Sequence, residues 1–162
     1  MLEGVTAIYP GSFDPVTNGH LELVNRARHI FHRVVVSVLM NEQKKPLFTL
    51  PQRVAFLEQV TRPWENVEVA SFQGLLIDFA DEVGARVIMR GIRAVTDYDY
   101  EFQMALMNRR MQPQIETIFM VPSEAYAYLS SSLVKEVSRL GGDVAGLVPE
   151  AVEKELVSRF GR

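Results

Sequence analysis

Short apolar segments alternate along the chain with longer segments in which apolar residues recur every three or four positions. The short segments predict β-strands at 5–9, 34–40, 67–71, 87–89 and 117–121. The longer segments predict helices at 18–32, 50–60, 75–83, 97–111, 130–140 and 149–160. The strand at 34–40 is apolar on both faces, which is typical of a strand buried inside a parallel sheet.

Residues that start and stop helices support these boundaries. Thr49 is a suitable N-cap, and Pro51 is tolerated in the first turn that follows it. Gly84 is suited to end the third helix, and Gly141 with Gly142 separates the last two helices. Strands alternating with helices imply parallel pairing with right-handed crossovers. We therefore expect an α/β fold, a Rossmann-like doubly wound five-stranded parallel sheet with C-terminal helices.

Composition excludes several classes of protein. The chain has 162 residues, no cysteine and a net charge of −3, so we expect a single domain, 1–162, without disulfides or Cys-based zinc sites. A slightly acidic chain argues against a dedicated nucleic-acid binder, which usually carries a basic face. The apolar run at 34–40 is too short to span a membrane, and no basic segment precedes an apolar one at the N-terminus. We expect neither a nucleic-acid nor a membrane partner, and a cytoplasmic location.

The residues that follow the predicted strands carry most of the chemistry. In an open α/β sheet, ligands bind beyond the carboxyl ends of the strands. In chain order, these positions are Ser12 to His20, Lys44 and Lys45, Gly74 to Leu76, Arg90 to Arg93, and Ser130 to Lys135. Cations, hydroxyls, glycines and a histidine on one edge of a net acidic protein indicate a small polyanion site that suits phosphates.

Two of these clusters, at Gly19 and at Ser130 to Ser132, open predicted helices. The free N–H groups and the positive dipole end of a first helical turn favour phosphate. Neither G-x-x-x-x-G-K-[ST] nor G-x-G-x-x-G occurs in the sequence. The sequence therefore predicts a phosphate site of another design.

His20 is the strongest candidate for a catalytic role. The helix dipole disfavours its imidazolium unless an anion is bound, and beside a phosphate the ring can donate a hydrogen bond to developing charge. The alternative, a surface histidine that caps its own helix, is weakened by the neighbouring Ser12 and Thr17. His29 and His32 are expected to be solvated, because no further metal ligand is evident for them.

The segment from Tyr9 to His20, YPGSFDPVTNGH, resembles the opening of the nucleotidylyltransferase superfamily, whose [HT]-x-G-H motif holds nucleotide phosphates. The segment SSSLVKE, at 130–136, resembles the second signature of that superfamily. Three segments between them narrow the resemblance: Lys44-Lys45-Pro46, Arg90 to Ala94, and Tyr98 to Glu101 with Met107 to Arg109. Together they resemble the bacterial phosphopantetheine adenylyltransferases over nearly the whole chain.

This resemblance implies a nucleotidyltransferase domain that transfers the adenylyl group of ATP to 4′-phosphopantetheine. The implied products are dephospho-coenzyme A and pyrophosphate, and the implied cofactor is Mg²⁺. A substrate phosphate would be the nucleophile, and its second pKa of about 6 leaves it largely ionised near pH 7. No strong general base is then required, and no carboxylate pair or Ser–His–Asp arrangement is evident.

The resemblance also implies roles for individual residues. His20 would stabilise the transition state, and Ser12 and Lys44 would contact the attacking phosphate. Substrate binding is implied for Ser12, Lys44, Leu76 and Arg90. ATP binding is implied for Ser12, Phe13, His20, Gly91, Ile92, Arg93, Glu101, Tyr126, Ala127, Tyr128, Leu129, Ser130, Ser131 and Ser132. Ser12 stands where the family has threonine, which keeps the hydroxyl, and Tyr126 stands where tryptophan is familiar.

The helix at 97–111 is apolar nearly all round, which indicates burial on two sides. A second subunit is a suitable cover, and the family resembled is hexameric, so we expect a homohexamer. The resemblance further implies coenzyme A as a feedback inhibitor that competes at the pantetheine site.

Plainer interpretations stay open for most of these residues. Lys44 and Lys45 could be solvated loop charges, Arg90 and Arg93 could pair with nearby carboxylates such as Glu101, and the serines could be simple helix caps. Two other functions also remain: an adenylyltransferase with another acceptor, such as nicotinate mononucleotide or glycerol 3-phosphate, and a non-catalytic nucleotide sensor.

Overall fold

The computed structural model describes residues 2–40, 45–93 and 95–161. The strands are β1 (Leu2–Gly11), β2 (Phe31–Leu39), β3 (Val67–Phe72), β4 (Val87–Gly91) and β5 (Glu116–Met120). The helices are α1 (Asn18–Ile30), α2 (Leu50–Thr61), α3 (Leu76–Glu82), α4 (Val95–Met111), α5 (Ser131–Arg139) and α6 (Glu150–Phe160), and a 3-10 turn at Glu124–Tyr126 precedes α5. Every predicted strand and helix is present, and the differences lie at their ends.

The strand β1 differs most from its predicted bounds, because the sequence predicts only 5–9. Its first residues are exposed, so no apolar pattern marks them, yet Leu2 pairs with Phe31 of β2. Pro10 and Gly11, which lie beyond the predicted end of the strand at residue 9, still pair with β2. The strand therefore carries its pairing right up to the loop that follows.

In the described part of the chain the strands form one sheet in the order β3-β2-β1-β4-β5, and all neighbours pair in parallel. The winding reverses between β1 and β4. Such a switch point opens a crevice beyond the carboxyl ends of the two strands, where ligands bind. The predicted fold class is confirmed.

Alternate residues of the central strands face opposite helical layers. Ala7 of β1 and Val34 of β2 join one buried cluster that includes side chains of α1, α2, α5 and α6. Ile8 and Val35 join a second cluster that includes side chains of α3. Helices thus cover both faces of the sheet, which explains the apolar strand β2. Within the described ranges, no helix combines the length and the apolar character needed to cross a bilayer.

Three hydroxyl side chains cap helices. Thr17 caps α1, Thr49 caps α2 as the sequence predicts, and Ser130 caps α5 by accepting the N–H of Leu133. The caps of α1 and α5 both lie at the carboxyl edge of the sheet, beside the switch point. Two helix N-termini therefore converge where the fold places a ligand.

Candidate active site

A cavity of about 310 Å³ opens beyond the ends of β1 and β4. It lies at the switch point of the sheet and combines hydroxyls, glycines, an imidazole and two guanidinium groups. Of the predicted site residues, the cavity brings together Ser12, Phe13, His20, Arg90, Gly91, Arg93, Glu101, Tyr126, Leu129, Ser130, Ser131 and Ser132.

Gly91 allows the end of β4 to approach helix α1 closely. A Cβ atom at this position would lie 2.8 Å from Cδ1 of Leu23 and 3.6 Å from the hydroxyl of Tyr9. The first distance is too short for a carbon–carbon contact, so any side chain would displace Leu23. Glycine therefore allows this close packing at the cavity wall without a shift of Leu23.

Phe13 turns the chain after β1. Its φ of 47° lies in the left-handed region, which is strained for an aromatic residue. The buried ring packs edge-on against Tyr9 and His20, with centroids 5.5 Å and 5.1 Å away. This packing holds the turn that carries Ser12 and restrains the imidazole.

The capping residue of α1 fixes the tautomer of His20. The backbone N–H of Thr17 donates to Nδ1 of His20 at 3.0 Å, so the neutral ring carries its proton on Nε2. Oγ1 of Thr17 also lies 3.0 Å from Nδ1 and accepts the backbone N–H of His20 at 3.3 Å. This capping box leaves the Nε2–H as a hydrogen-bond donor in the cavity.

The imidazole of His20 is neutral at pH 7. Burial, together with the positive charges of Arg93 and Arg90, lowers the pKa of His20 from 6.5 to about 4. A bound polyanion would offset the arginine charges and raise that pKa. The cavity therefore presents a neutral donor, not a cation.

This pKa makes the stability of the apo protein fall at acidic pH. Between pH 6.5 and about 4, the unfolded chain binds a proton at His20 that the folded chain does not bind. We expect His20 alone to lower the free energy of unfolding by about 1–3 kcal/mol between pH 7 and pH 4.5.

Urea unfolding at the two pH values checks this prediction. The loss should shrink by that amount in His20→Gln and persist in His29→Gln, because His29 is exposed on the same helix. Equal pH dependence in the two variants would contradict it.

Arg90 and Glu101 form an ion pair in the cavity wall. Nε of Arg90 donates to Oε2 of Glu101 at 2.7 Å, Nη2 donates to Oε1, and Nη1 donates to the carbonyl of Pro10 at 2.6 Å. Burial opposes the guanidinium charge, but the bonds to Glu101 outweigh it and raise the pKa of Arg90. The pairing considered from the sequence is real, yet it lies inside the site, with the two side chains 29% and 12% exposed.

Arg93 links the end of β4 to the segment before α5. Its Nη1 donates to the carbonyl of Leu129 at 3.0 Å, and its Nε lies 3.3 Å from the carboxylate of Asp97. The pair with Asp97 is partly exposed and therefore weak. The arginine keeps further N–H groups for a ligand.

The first turn of α5 forms another wall of the cavity. Oγ of Ser131 donates to the carbonyl of Pro15 at 2.7 Å and fixes the helix end to the loop after β1. The N–H groups of a first turn have no intrahelical acceptors. Those of Ser131 and Ser132 are therefore suited to bind an anion.

A second cavity of about 360 Å³ adjoins the first through Ser12, Ser131 and Ser132. The charged residues that line this second cavity are Lys45, Arg53, Lys135 and Asp14. Three cations against one carboxylate favour a further anion beside the first. The two cavities can accordingly hold two phosphate-bearing molecules next to each other.

Comparison with known proteins matches this chain to one enzyme family. The sequence profile of the cytidylyltransferase-like family matches residues 8–137. A phosphopantetheine adenylyltransferase of Alkaliphilus metalliredigens is 57% identical over 90% of this chain and 92% of its own. One of Heliobacterium modesticaldum is 52% identical over 96% of this chain and 92% of its own.

The chain belongs to the phosphopantetheine adenylyltransferase family. It is therefore a nucleotidyltransferase. A crystal structure from Vibrio parahaemolyticus, of a protein assigned as a nicotinate-nucleotide adenylyltransferase, has a TM-score of 0.70 at 15% identity. It covers 95% of this chain and 91% of its own, and confirms the fold.

Several residues that the sequence associates with this adenylyltransferase site lie outside the first cavity. Leu76 packs partly buried against the second core cluster, at the start of α3. Ile92, Ala127 and Tyr128 do not line the cavity either, and Tyr128 is exposed. Lys44 lies outside the described residues, so its role stays a prediction.

Other residues of the adenylyltransferase cavity are missed by the sequence analysis. Tyr9 and Leu23 follow the apolar periods of β1 and α1 and therefore look like ordinary core residues. Burial raises the pKa of Tyr9 to about 12, so its hydroxyl stays protonated at the cavity wall. Asp97 and Pro122 also line the cavity. The position of Tyr9, at the end of a strand that leads to the site, is the signal that could have found it.

Proposed function

We propose that the protein transfers the adenylyl group of ATP to 4′-phosphopantetheine, with dephospho-coenzyme A and pyrophosphate as products. The observation that carries the proposal is His20, a neutral Nε2–H donor in a cavity formed by two helix N-termini. Such a donor stabilises charge that develops on a phosphate oxygen. Membership of the phosphopantetheine adenylyltransferase family supplies the acceptor.

The acceptor phosphate acts as the nucleophile. Its second pKa of about 6 leaves most of it dianionic at pH 7. The carboxylates of Asp97 and Glu101 in the cavity are each paired with an arginine, and an ionised phosphate requires no general base. One phosphate oxygen bonds to the α-phosphorus in line with the bond to pyrophosphate, which breaks, and no proton need be transferred. Catalysis rests on positioning and on charge stabilisation.

The proposed roles separate the two sides of the reaction. Ser12, with Lys44, contacts the acceptor phosphate, and the neighbouring Lys45 lines the second cavity beside Ser12. His20 donates its Nε2–H to the α-phosphate as negative charge builds there. The two phosphates therefore meet where the two cavities join.

ATP occupies the first cavity in this proposal. The N–H groups of Ser131 and Ser132, together with Arg93, bind its outer phosphates at the N-terminus of α5. Gly91, Ile92 and the 126–130 segment provide the surroundings of the nucleoside. Tyr126 packs close to Gly19, in the proposed phosphate-binding turn, because a Cβ built at Gly19 would lie only 3.3 Å from the Cβ of Tyr126. This closeness supports the placement of the 126–130 segment beside the nucleotide.

Arg90 retains capacity for the pantetheine substrate. A guanidinium has five N–H donors, and Glu101 with Pro10 uses three of them. Two donors remain for the substrate, and the ion pair fixes their direction. Leu76 is proposed as an apolar contact for the pantetheine chain.

Mg²⁺ is proposed as a companion of the nucleotide. In the described ranges, no group of three or more His, Asp or Glu side chains is arranged to hold a metal ion. Mg²⁺ usually keeps several waters and binds through substrate phosphates, which suits a site without a protein cage. When bound, it neutralises phosphate charge.

Pyrophosphate release with a panel of acceptors tests the proposal. We expect release from Mg·ATP only when 4′-phosphopantetheine is added. Release with nicotinate mononucleotide or glycerol 3-phosphate instead would identify another acceptor. ATP binding without release under any acceptor would identify a nucleotide sensor and would refute the proposed enzyme.

The protein is further proposed to be a homohexamer. Large apolar side chains of α4 are exposed, with Tyr98 stacked on Phe102: Tyr98, Tyr100, Phe102, Met104, Leu106, Met107 and Met111. They lie in two stripes along the helix, and exposed apolar side chains in this number mark an interaction surface. Light scattering should give six times the chain mass, and a monomer alone would refute the assembly.

Two further properties complete the proposal. Coenzyme A contains the pantetheine and adenine parts of the substrates, so it is proposed to compete for the same cavities as a feedback inhibitor. The requirement for ATP favours the cytoplasm as the compartment in which the enzyme works.

A further inference from the structure

Asp14 joins three parts of the active-site wall. Its carboxylate is 6% exposed and accepts the backbone N–H of Leu47 at 2.9 Å and that of Phe48 at 2.8 Å. Nζ of Lys135 donates to the same carboxylate at 2.8 Å. One buried side chain on the loop after β1 thus holds both the segment before α2 and the helix α5.

The two sides held by this carboxylate serve different substrates. Leu47 follows directly on the segment 44–46, which is proposed to hold the acceptor phosphate. Lys135 lies one turn beyond Ser131, in the helix whose first turn is proposed to hold the ATP phosphates. The bond from Ser131 to Pro15 fastens that same turn to the same loop. The spacing of the two substrates therefore depends on the contacts of Asp14 with Leu47, Phe48 and Lys135, which we call the Asp14 junction.

The negative charge of Asp14 is stabilised by the groups that contact it directly. Burial alone would raise the pKa of Asp14, but the bonds from Lys135, Phe48 and Leu47 outweigh it and lower the pKa below 3.8. The carboxylate is therefore ionised at neutral pH and can accept all three bonds. Arg53 of α2 adds a further cation and donates to the carbonyl of Ser12 at 2.7 Å.

We propose that Asp14 is a positioning residue for adenylyl transfer, which sets the separation between the acceptor phosphate and the α-phosphate of ATP. The inference rests on the proposed function, which assigns the two substrates to the two sides. Asp14 lines the second cavity, and the bonds described for its carboxylate all go to protein groups, those of Leu47, Phe48 and Lys135. A displacement of about 1 Å can cost roughly 10²-fold in rate. The effect of losing these contacts therefore falls mainly on kcat and less on the binding of either substrate alone.

Two variants remove different hydrogen bonds of the Asp14 junction. Asp14→Asn removes the negative charge that pairs with Lys135. Its NH₂ group must also face either the N–H of Phe48 or both the N–H of Leu47 and Nζ of Lys135, so the bonds on one side are lost. Lys135→Met keeps a similar stem and leaves both backbone bonds of Asp14 intact, so only the link to α5 is lost. Thr61→Val is the control, because it removes a buried bond to the carbonyl of Leu57 at the other end of α2.

We expect kcat to fall about 30- to 100-fold in Asp14→Asn and in Lys135→Met. The Kd of α,β-methylene ATP, measured alone by calorimetry, should change less than about threefold, since neither Asp14 nor Lys135 lines the first cavity. Lys135 lines the second cavity, so Lys135→Met should weaken the binding of 4′-phosphopantetheine, but by a smaller factor than it lowers kcat. The double variant should be no slower than the slower single variant, because both changes remove one link. Thr61→Val should lose thermal stability and keep the wild-type kcat.

Three results would overturn the inference. They are a wild-type kcat in Lys135→Met, a loss of affinity for one substrate that accounts for the whole loss of rate, and a similar loss of kcat in Thr61→Val. Lys135 is partly exposed, so this variant decides the question if Asp14→Asn does not fold. An inactive wild type would refute the proposed function together with this inference, whereas an active wild type with unimpaired variants refutes only the role of Asp14.

Discussion

Replacing His20 by alanine should lower kcat about 10²- to 10³-fold, which is the usual cost of removing one donor to a developing charge. The Kd for ATP should change less than about threefold, because the contact strengthens mainly in the transition state. The neutral ring with its proton on Nε2 is the structural reason. Steady-state kinetics and calorimetry with α,β-methylene ATP measure the two quantities separately.

His29→Ala is the matched control for this prediction. His29 lies on the same helix and is exposed, so its loss removes an imidazole without touching the cavity. We expect wild-type kcat in that variant. If His20→Ala lost ATP affinity by the same factor as kcat, the residue would only bind the nucleotide.

Glu101→Ala should cause a large loss of stability. It leaves the guanidinium of Arg90 partly buried, with the carbonyl of Pro10 as its remaining described partner. Removing one partner of a buried ion pair costs about 3–5 kcal/mol, and the partial exposure of Arg90 reduces the expected loss to about 2–4 kcal/mol. Urea unfolding measures the change directly.

Glu116→Ala provides the comparison, because it breaks an ion pair of similar length at the surface. Arg109 and Glu116 are 61% and 59% exposed, and their side chains are 2.8 Å apart. Exposed pairs contribute about 0–1 kcal/mol, so this variant should stay close to the wild type. Similar losses in the two variants would show that burial of the Arg90 pair has no energetic effect.

The fold could be predicted largely because its signals are local. The cap at Thr49, the proline that follows it and the apolar period of α2 all lie within one short segment. The first residues of β1 could not be predicted, because their strand conformation depends on pairing with β2 and not on any apolar alternation. The 3-10 turn at Glu124–Tyr126 is likewise too short to have a periodic signal.

The site could be predicted as a collection of residues, but not as a set of contacts. The rule that ligands bind at strand ends places Ser12, His20 and Arg90 together, and the structure confirms that all three line one cavity. Whether a charged residue faces a ligand or a protein partner depends on distant parts of the chain. The bond between Asp14 and Lys135 joins positions 121 residues apart, so no local pattern indicates it.

The capping box of α1 has a consequence for how the active site is acquired during folding. Thr17 and His20 are three residues apart, and the bonds between them both start the helix and fix the ring proton of His20 on Nε2. Contacts of such short range need little loop closure and can form early in folding. The position of this proton is thus set when the helix begins, and a chain that forms the first turn of α1 correctly already holds the tautomer on which the proposed function depends.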